Sequence, residues 1–196
     1  MKVMTLCPFL PAFLSFIFIA SSGSEVPVGN CSPEEGTCSL YPILGEPEEF
    51  TESSQGLKLA VRRWKPTQSV KAVVLFQHGG AGFHSAYSDI MGRSLAEAGI
   101  AVVAYDQAGS GYSEGPRNYF ESIDAVCDDF TKVLQQVKRE YPGKKVFAMG
   151  ESFGGFVILS QSLIEQKKKD SGTLADGYIL TGPVIKLLRK CIPLVH

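Results

Sequence analysis

The sequence has no surplus of charge. Nineteen lysines and arginines stand against twenty aspartates and glutamates, a net charge of −1. That excludes the broad basic surface that nucleic-acid binding needs. With only three histidines, His78, His84 and His196, few positions can supply an imidazole base. There is no internal repeat, and no metal or cofactor motif. No apolar run reaches the length of a membrane span: Leu6 to Ala20 is short and contains Pro8 and Pro11, residues that break a helix. What remains is ordinary globular composition, 44% hydrophobic and 20% charged. The 196 residues suffice for one domain and hardly for two.

The N-terminus reads as a leader. Lys2 gives a positive start, Leu6 to Ala20 is mostly apolar, and small residues follow at Ala20, Ser21, Ser22 and Gly23. Residues 1–22 are therefore expected to be a secretory signal peptide cleaved after Ser22, with an uncleaved membrane anchor as the alternative. Export would give the cysteines an oxidising compartment. Cys31 and Cys38 stand close together in a Pro/Gly/Ser-rich segment, which favours a local disulfide, whereas Cys127 lies in a helical apolar stripe and reads as a buried small hydrophobe. The four cysteines beyond the leader still permit three pairings. Asn30-Cys31-Ser32 is a glycosylation sequon followed by Pro33.

Residues 23–55 read as an irregular extension rich in Glu, Pro, Ser and Gly, and residues 56–183 as the folded domain. Within the domain, Leu57 to Trp64 roughly alternates, as a strand near a sheet edge does. Val73 to Phe76, Ile100 to Tyr105, Val146 to Met149 and Tyr178 to Leu180 are continuous apolar runs suited to buried strands. Helical periodicity fills the gaps. Ile90, Met91, Leu95 and Ala98 form one face. Ile123, Val126, Cys127, Phe130, Val133, Leu134 and Val137 form a second, capped by Ser122 and ended by Pro142-Gly143. Phe156, Val157, Ser160, Leu163 and Ile164 form a third. Buried strands alternating with amphipathic helices predict an α/β fold with a mainly parallel sheet, whose ligands bind at the carboxyl ends of the strands. Lys167 to Lys169 read as a solvated helix end.

At one such strand end stands Gly150-Glu151-Ser152-Phe153-Gly154, followed by Gly155. The pattern G-x-S-x-G alone is weak, arising by chance in about one protein of this length in twenty. A second copy, Gly111-Tyr112-Ser113-Glu114-Gly115, runs into Pro116 and reads as loop. The first copy has a strand before it and a helix after it, the context of a nucleophile elbow, with Ser152 at the tip. A serine hydroxyl needs a base and donors for the oxyanion. The donors are expected to be the backbone N–H of Phe153 and that of Gly80, in the bare loop His78-Gly79-Gly80-Ala81-Gly82.

Together, His78-Gly79-Gly80, Tyr105-Asp106-Gln107-Ala108-Gly109-Ser110-Gly111-Tyr112-Ser113-Glu114-Gly115 and the Ser152 motif resemble an α/β-hydrolase. Within that superfamily they resemble the monoglyceride lipase and lysophospholipase-like branch of serine aminopeptidase S33 type. The resemblance covers about Phe50 to Pro183. It implies hydrolysis of acylglycerols, lysolipids or small esters through an acyl-enzyme at Ser152, with no cofactor, and structural roles for Asp106 and Ser113. Glu151 departs from the branch, which usually has histidine there. Members also continue past the Tyr178–Leu180 strand into a lid and further strands that carry the catalytic Asp and His. The resemblance thus implies that residues 56–183 are the N-terminal part of the domain, and no catalytic Asp or His is identified. Asp176 precedes its strand, which puts it at the opposite sheet edge from Ser152, roughly 15 Å away for a five-residue strand. His196 ends the chain, and His78 and His84 read as loop residues. The stretch 184–196 lies outside the family pattern; it reads as an aberrant or truncated end, or as a short amphipathic helix on a membrane surface. The alternatives to an impaired hydrolase are a lipid- or acyl-binding module without catalysis and an S33-type aminopeptidase. Oligomeric state is unknown.

Overall fold

The computed structural model describes residues 31–32, 37–38, 47, 49–80, 85–168 and 175–185. The chain divides into two units, residues 44–185 and residues 1–43 with 186–196. In the smaller unit, β1 (Cys31–Ser32) and β2 (Thr37–Cys38) form an antiparallel pair. The leader, the sequon asparagine Asn30, His84, Cys191, His196 and the tail 186–196 lie outside the described residues.

The larger unit is one six-stranded sheet. Its strands are β3 (Glu49–Glu52), β4 (Lys58–Trp64), β5 (Ala72–Gln77), β6 (Ile100–Tyr105), β7 (Lys145–Glu151) and β8 (Gly177–Thr181), in the order β3-β4-β6-β5-β7-β8. From β6 to β8 every pairing is parallel; β3 and β4 are antiparallel additions at one side. Helix α1 (Asp89–Glu97) follows β5, α2 (Ile123–Glu140) follows β6, and α3 (Phe153–Lys168) follows β7.

The period of two along each strand sorts the core into two layers. Val73, Leu75, Ala101, Val103, Tyr105, Val146 and Ala148 point to the side of α2 and α3, where Val126, Phe130, Val133, Leu134, Val157 and Ile158 meet them. Val74, Phe76, Val102 and Ala104 point to the other side and are covered by Trp64, Met91 and Leu95. Runs apolar on both faces are thus what a central parallel strand requires. Ser122 caps α2, its hydroxyl accepting from Ala125 N–H at 3.1 Å.

Four expectations are corrected. The extension is not irregular to residue 55: Glu49–Glu52 is a strand. It is an outer strand, Glu49-Phe50-Thr51-Glu52, paired with β4 through the backbone ladder and flanked by ion pairs of Glu49 with Arg63 and Glu52 with Lys132, with Phe50 half-exposed, so periodicity does not reveal it. In α1, Ile90 does not join the core and is 82% exposed. Gly92 is the residue that faces the sheet, flat on the Trp64 ring, and residues two apart on a helix point about 200° apart. In α3, Leu163 is exposed while Gln161, Ser162 and Glu165 are buried with Val157 and Ile158. The helix is pinned by its first glycines, and that contact fixes its rotation. β8 is the outermost strand, and its Ile179 and Leu180 stay partly exposed.

Gly92 gives a test of opposite sign to the usual rule. Gly→Ala in a helix interior ordinarily stabilises by about 1 kcal/mol. Here a Cβ would stand 2.3 Å from Trp64 Cδ2, and the Trp64 ring cannot swing away without breaking its Nε1 hydrogen bond to Asp89 at 2.9 Å. Gly92→Ala is expected to destabilise the chain by about 1–3 kcal/mol, read as a lowered urea midpoint; an unchanged or raised midpoint would refute this packing.

Candidate active site

Register brings the three sequence motifs together. Gln77 at the end of β5 pairs with Tyr105 at the end of β6 and with Gly150 near the end of β7. The residues directly beyond are His78-Gly79-Gly80, Asp106-Gln107 and Glu151-Ser152. Glu151 in turn pairs with Thr181 at the end of β8. All four strand ends therefore emerge at one edge, where parallel sheets place their ligands.

The turn into α3 is tight in a way that only glycine permits. A Cβ on Gly154 would stand 2.1 Å from the Gln77 carbonyl oxygen and 2.5 Å from that of His78. One on Gly150 would meet the Gly154 backbone at 2.7 Å, and one on Gly155 would meet Pro183 Cβ at 2.8 Å. Ser152, between these glycines, has φ +51°, a left-handed conformation that costs a non-glycine residue energy and persists only where its surroundings impose it. The imposition is visible on both sides of the residue. Ser152 N–H donates to Thr181 O at 3.0 Å, and Ser152 O accepts from Val184 N–H at 3.1 Å and from Phe156 N–H at 3.3 Å. The exit from β8 thus grips the serine backbone, and the residue itself is exposed. Sequence reasoning missed Thr181 and Val184, although Thr181-Gly182-Pro183 is a turn signal.

Gly80 lies against the same turn: a Cβ there would be 3.4 Å from Phe153 Cβ. The two backbones expected to supply oxyanion donors are therefore neighbours. Residues 81–84, the rest of that loop, lie outside the described residues. Phe153 also stacks between Phe120 and Phe156, with ring centroids 5.3 and 6.0 Å apart. This aromatic row was not legible in the sequence, because Phe120 belongs to an aperiodic loop.

Asp106 and Ser113 hold the neighbouring loop. Both are fully buried. The Asp106 carboxylate accepts from Ser85 N–H at 2.6 Å and from Tyr112 N–H at 2.8 Å. Ser113 Oγ donates to Asp106 O at 2.6 Å and accepts from Ala60 N–H at 2.9 Å. The second G-x-S-x-G copy is thereby a brace between β4 and β6, and its hydroxyl faces backbone rather than a cleft.

His78 is buried, with Nε2 accepting from Gln107 N–H at 2.9 Å and Nδ1 2.6 Å from Gly79 O. One tautomer satisfies both contacts: Nδ1–H donates and Nε2 accepts. Both ring nitrogens are then committed to the loop. Asp176 is hydrogen-bonded to Lys145 Nζ and Val146 N–H, each at 2.9 Å, at the start of β7. Ser152 follows the end of that strand. The Lys145 contact, followed by the Val146 N–H, holds the Asp176 carboxyl below the usual carboxylate range. It is an ion-pair residue of the far sheet edge. Among the described residues no group of three His, Cys, Asp or Glu side chains could hold a metal.

Known proteins share this fold. The family model for serine aminopeptidase, S33, matches residues 68–196. Human monoglyceride lipase is 34% identical over 107 residues, which are 55% of this chain and 35% of that protein. The proline iminopeptidase of Thermoplasma volcanium is 30% identical over 126 residues, 64% of this chain and 41% of that protein. This chain thus spans less than half the length of these relatives. A soluble variant of monoglyceride lipase from Saccharomyces cerevisiae, solved with a substrate analogue, superposes with a TM-score of 0.61 at 23% identity, over 76% of this chain and 49% of that one. The elbow, the strand order and the family match agree: this chain has the α/β-hydrolase fold and belongs to the serine aminopeptidase S33 family.

Proposed function

We propose that this protein acts on carboxylic esters of lipids, monoacylglycerols or lysolipids among them, through Ser152. The observation that carries this reading is the strained, exposed Ser152, gripped by the exit from β8, with the next residue, Phe153, beside Gly80. In the proposed reaction Ser152 Oγ attacks the ester carbonyl while its proton passes to water, which returns a proton to the departing alcohol oxygen. The carbonyl oxygen becomes an oxyanion facing the N–H groups of Phe153 and Gly80. Collapse expels the alcohol and leaves an acyl group on Ser152, which water then removes. The row Phe120-Phe153-Phe156 offers the acyl chain an apolar wall beside that carbonyl.

Proton removal is the weak step. His78 is committed to Gln107 and Gly79, and Asp176 lies at the other sheet edge. On the described residues, then, we propose that acylation of Ser152 is slow and that turnover on esters falls to at most about 10³–10⁴-fold over water, the residue left by binding and an oxyanion hole alone. We further propose entry into the secretory pathway through residues 1–22, on the strength of Lys2 and the apolar run Leu6 to Ala20.

Three outcomes test these proposals. Prolonged incubation with an alkyl fluorophosphonate is expected to add one adduct on Ser152, by intact mass and peptide mapping. Imidazole in the buffer should accelerate it as an external base. An adduct that persists in Ser152→Ala refutes the nucleophile assignment, and rapid labelling indifferent to imidazole refutes the impairment. Phe120→Ala is expected to slow labelling by a long-chain probe about fivefold relative to a short-chain one, the size of roughly 1 kcal/mol of lost apolar contact; equal slowing of both would remove Phe120 from the acyl wall. Expression in secretory cells should yield a product whose N-terminal residue is Gly23, and retention of Lys2 would reject the cleaved leader.

A further inference from the structure

We propose that Cys31 and Cys38 are joined by a disulfide that closes the β1–β2 hairpin. The argument rests on backbone register and is independent of the hydrolase reading. In the antiparallel pair, Cys31 stands directly opposite Cys38, and Ser32 opposite Thr37. Residues directly opposed in such a ladder have Cα atoms about 4.5–5.5 Å apart. A disulfide spans Cα separations of about 4.4–6.8 Å. The register therefore meets the backbone requirement of the bond without any movement of the chain. A shift of one residue would oppose Cys31 to a different partner and lose it.

The hairpin also needs such a bond. Each strand has two residues, Cys-Ser against Thr-Cys, joined through Pro33-Glu34-Glu35-Gly36. A two-stranded hairpin is marginal in water even when longer. Neither strand carries the aromatic or β-branched apolar pairs that steady a short ladder, Thr37 aside. A covalent link at the open end fixes the register that the side chains alone do not.

The structure also narrows which cysteines compete. Cys127 is buried in the packing of α2 against α3, with Sγ 3.7 Å from Val157 O. Burial pushes its thiol up to about 12, and the thiolate is the species that exchanges. Of the three full pairings open to Cys31, Cys38, Cys127 and Cys191, the register selects the one that contains Cys31–Cys38, and the burial of Cys127 disfavours its second bond, Cys127–Cys191, so that Cys127 stays reduced. The chemistry is thiol–disulfide exchange with a low-molecular-weight disulfide such as oxidised glutathione. One cysteine thiolate attacks it and releases one glutathione thiolate. The second cysteine then attacks the mixed disulfide and releases the other. The protein thiols give up two protons and two electrons in all, and the oxidant becomes two thiols.

The test uses the full chain equilibrated with oxidised and reduced glutathione, then alkylated and digested after glutamate without reductant. Cleavage at Glu34 or Glu35 cuts the connection, so the bond alone joins the two peptides. The expected product is the Cys31 peptide linked to the Cys38 peptide, lighter by two hydrogens than the sum of the reduced pair and separated by reductant. Cys127 should be alkylated only after unfolding. In Cys31→Ser, Cys38 should become alkylated. Alkylation of both Cys31 and Cys38 in the unmodified chain, or a link from either to Cys127 or Cys191, would overturn the proposal.

Discussion

The arrangement of the site depends on how closely the first turn of α3 crosses the end of β5. Gly154 sits where any side chain would overlap the carbonyl oxygens of Gln77 and His78. That contact brings the residue after Ser152 against Gly80, and it sets the rotation of the whole helix. It explains why α3 buries Gln161 and Glu165 while leaving Leu163 in solvent: the crossing, rather than the apolar stripe, decides which face turns inward. The same closeness forces Ser152 into a left-handed conformation. Strain of that kind costs of order 1–3 kcal/mol and persists only when neighbours over-determine it. Here the neighbours are Thr181 and Val184, which hold the N–H and the C=O of the strained residue itself.

A second, buried brace keeps the adjacent loop in place. The Asp106 carboxylate satisfies two backbone N–H groups from segments 21 residues before it and 6 after it. Ser113 ties the same residue to β4. Buried backbone donors must find partners, and these loops have no ladder to supply them. One aspartate and one serine do so, which is why a D-x-x-G-x-G-x-S-x-G segment can carry a serine between glycines with no nucleophile in it. The hydroxyl direction separates the two copies of the motif: Ser113 Oγ is spent on Asp106 O and Ala60 N–H, while Ser152 is exposed.

Much of this was legible in the sequence. The strands β5, β6 and β7, the helix α2 with its Ser122 cap, and the glycine spacing at the elbow all follow from periodicity and sterics. The placement of Asp176 at the far edge follows from strand direction alone, and its bonds to Lys145 and Val146 confirm it. What stayed hidden has a common cause. β3 is stabilised by charge pairs between segments distant in sequence, Ile90 is displaced by a glycine–tryptophan contact, and Phe120 meets Phe153 from an aperiodic loop. Each is a tertiary contact with no local period, and periodicity reports only what a segment does alone.

The proposed chemistry separates along the same line. The groups that would receive a substrate carbonyl oxygen are the backbone N–H groups of Gly80 and Phe153, and backbone position is fixed by the register of β5 with β7 and by the turns that follow the two strands. A proton acceptor is a different matter, because it must be a side chain with a free lone pair aimed at Ser152. The imidazole of His78 is next to this edge in sequence, yet its Nε2 lone pair accepts the Gln107 N–H and its Nδ1 proton faces Gly79 O. To serve as a base it would have to abandon a buried N–H, at a cost of about 1–3 kcal/mol, and turn from the loop whose shape places Gly80. The histidine that orders the proposed oxyanion side of the site is thereby withheld from proton transfer.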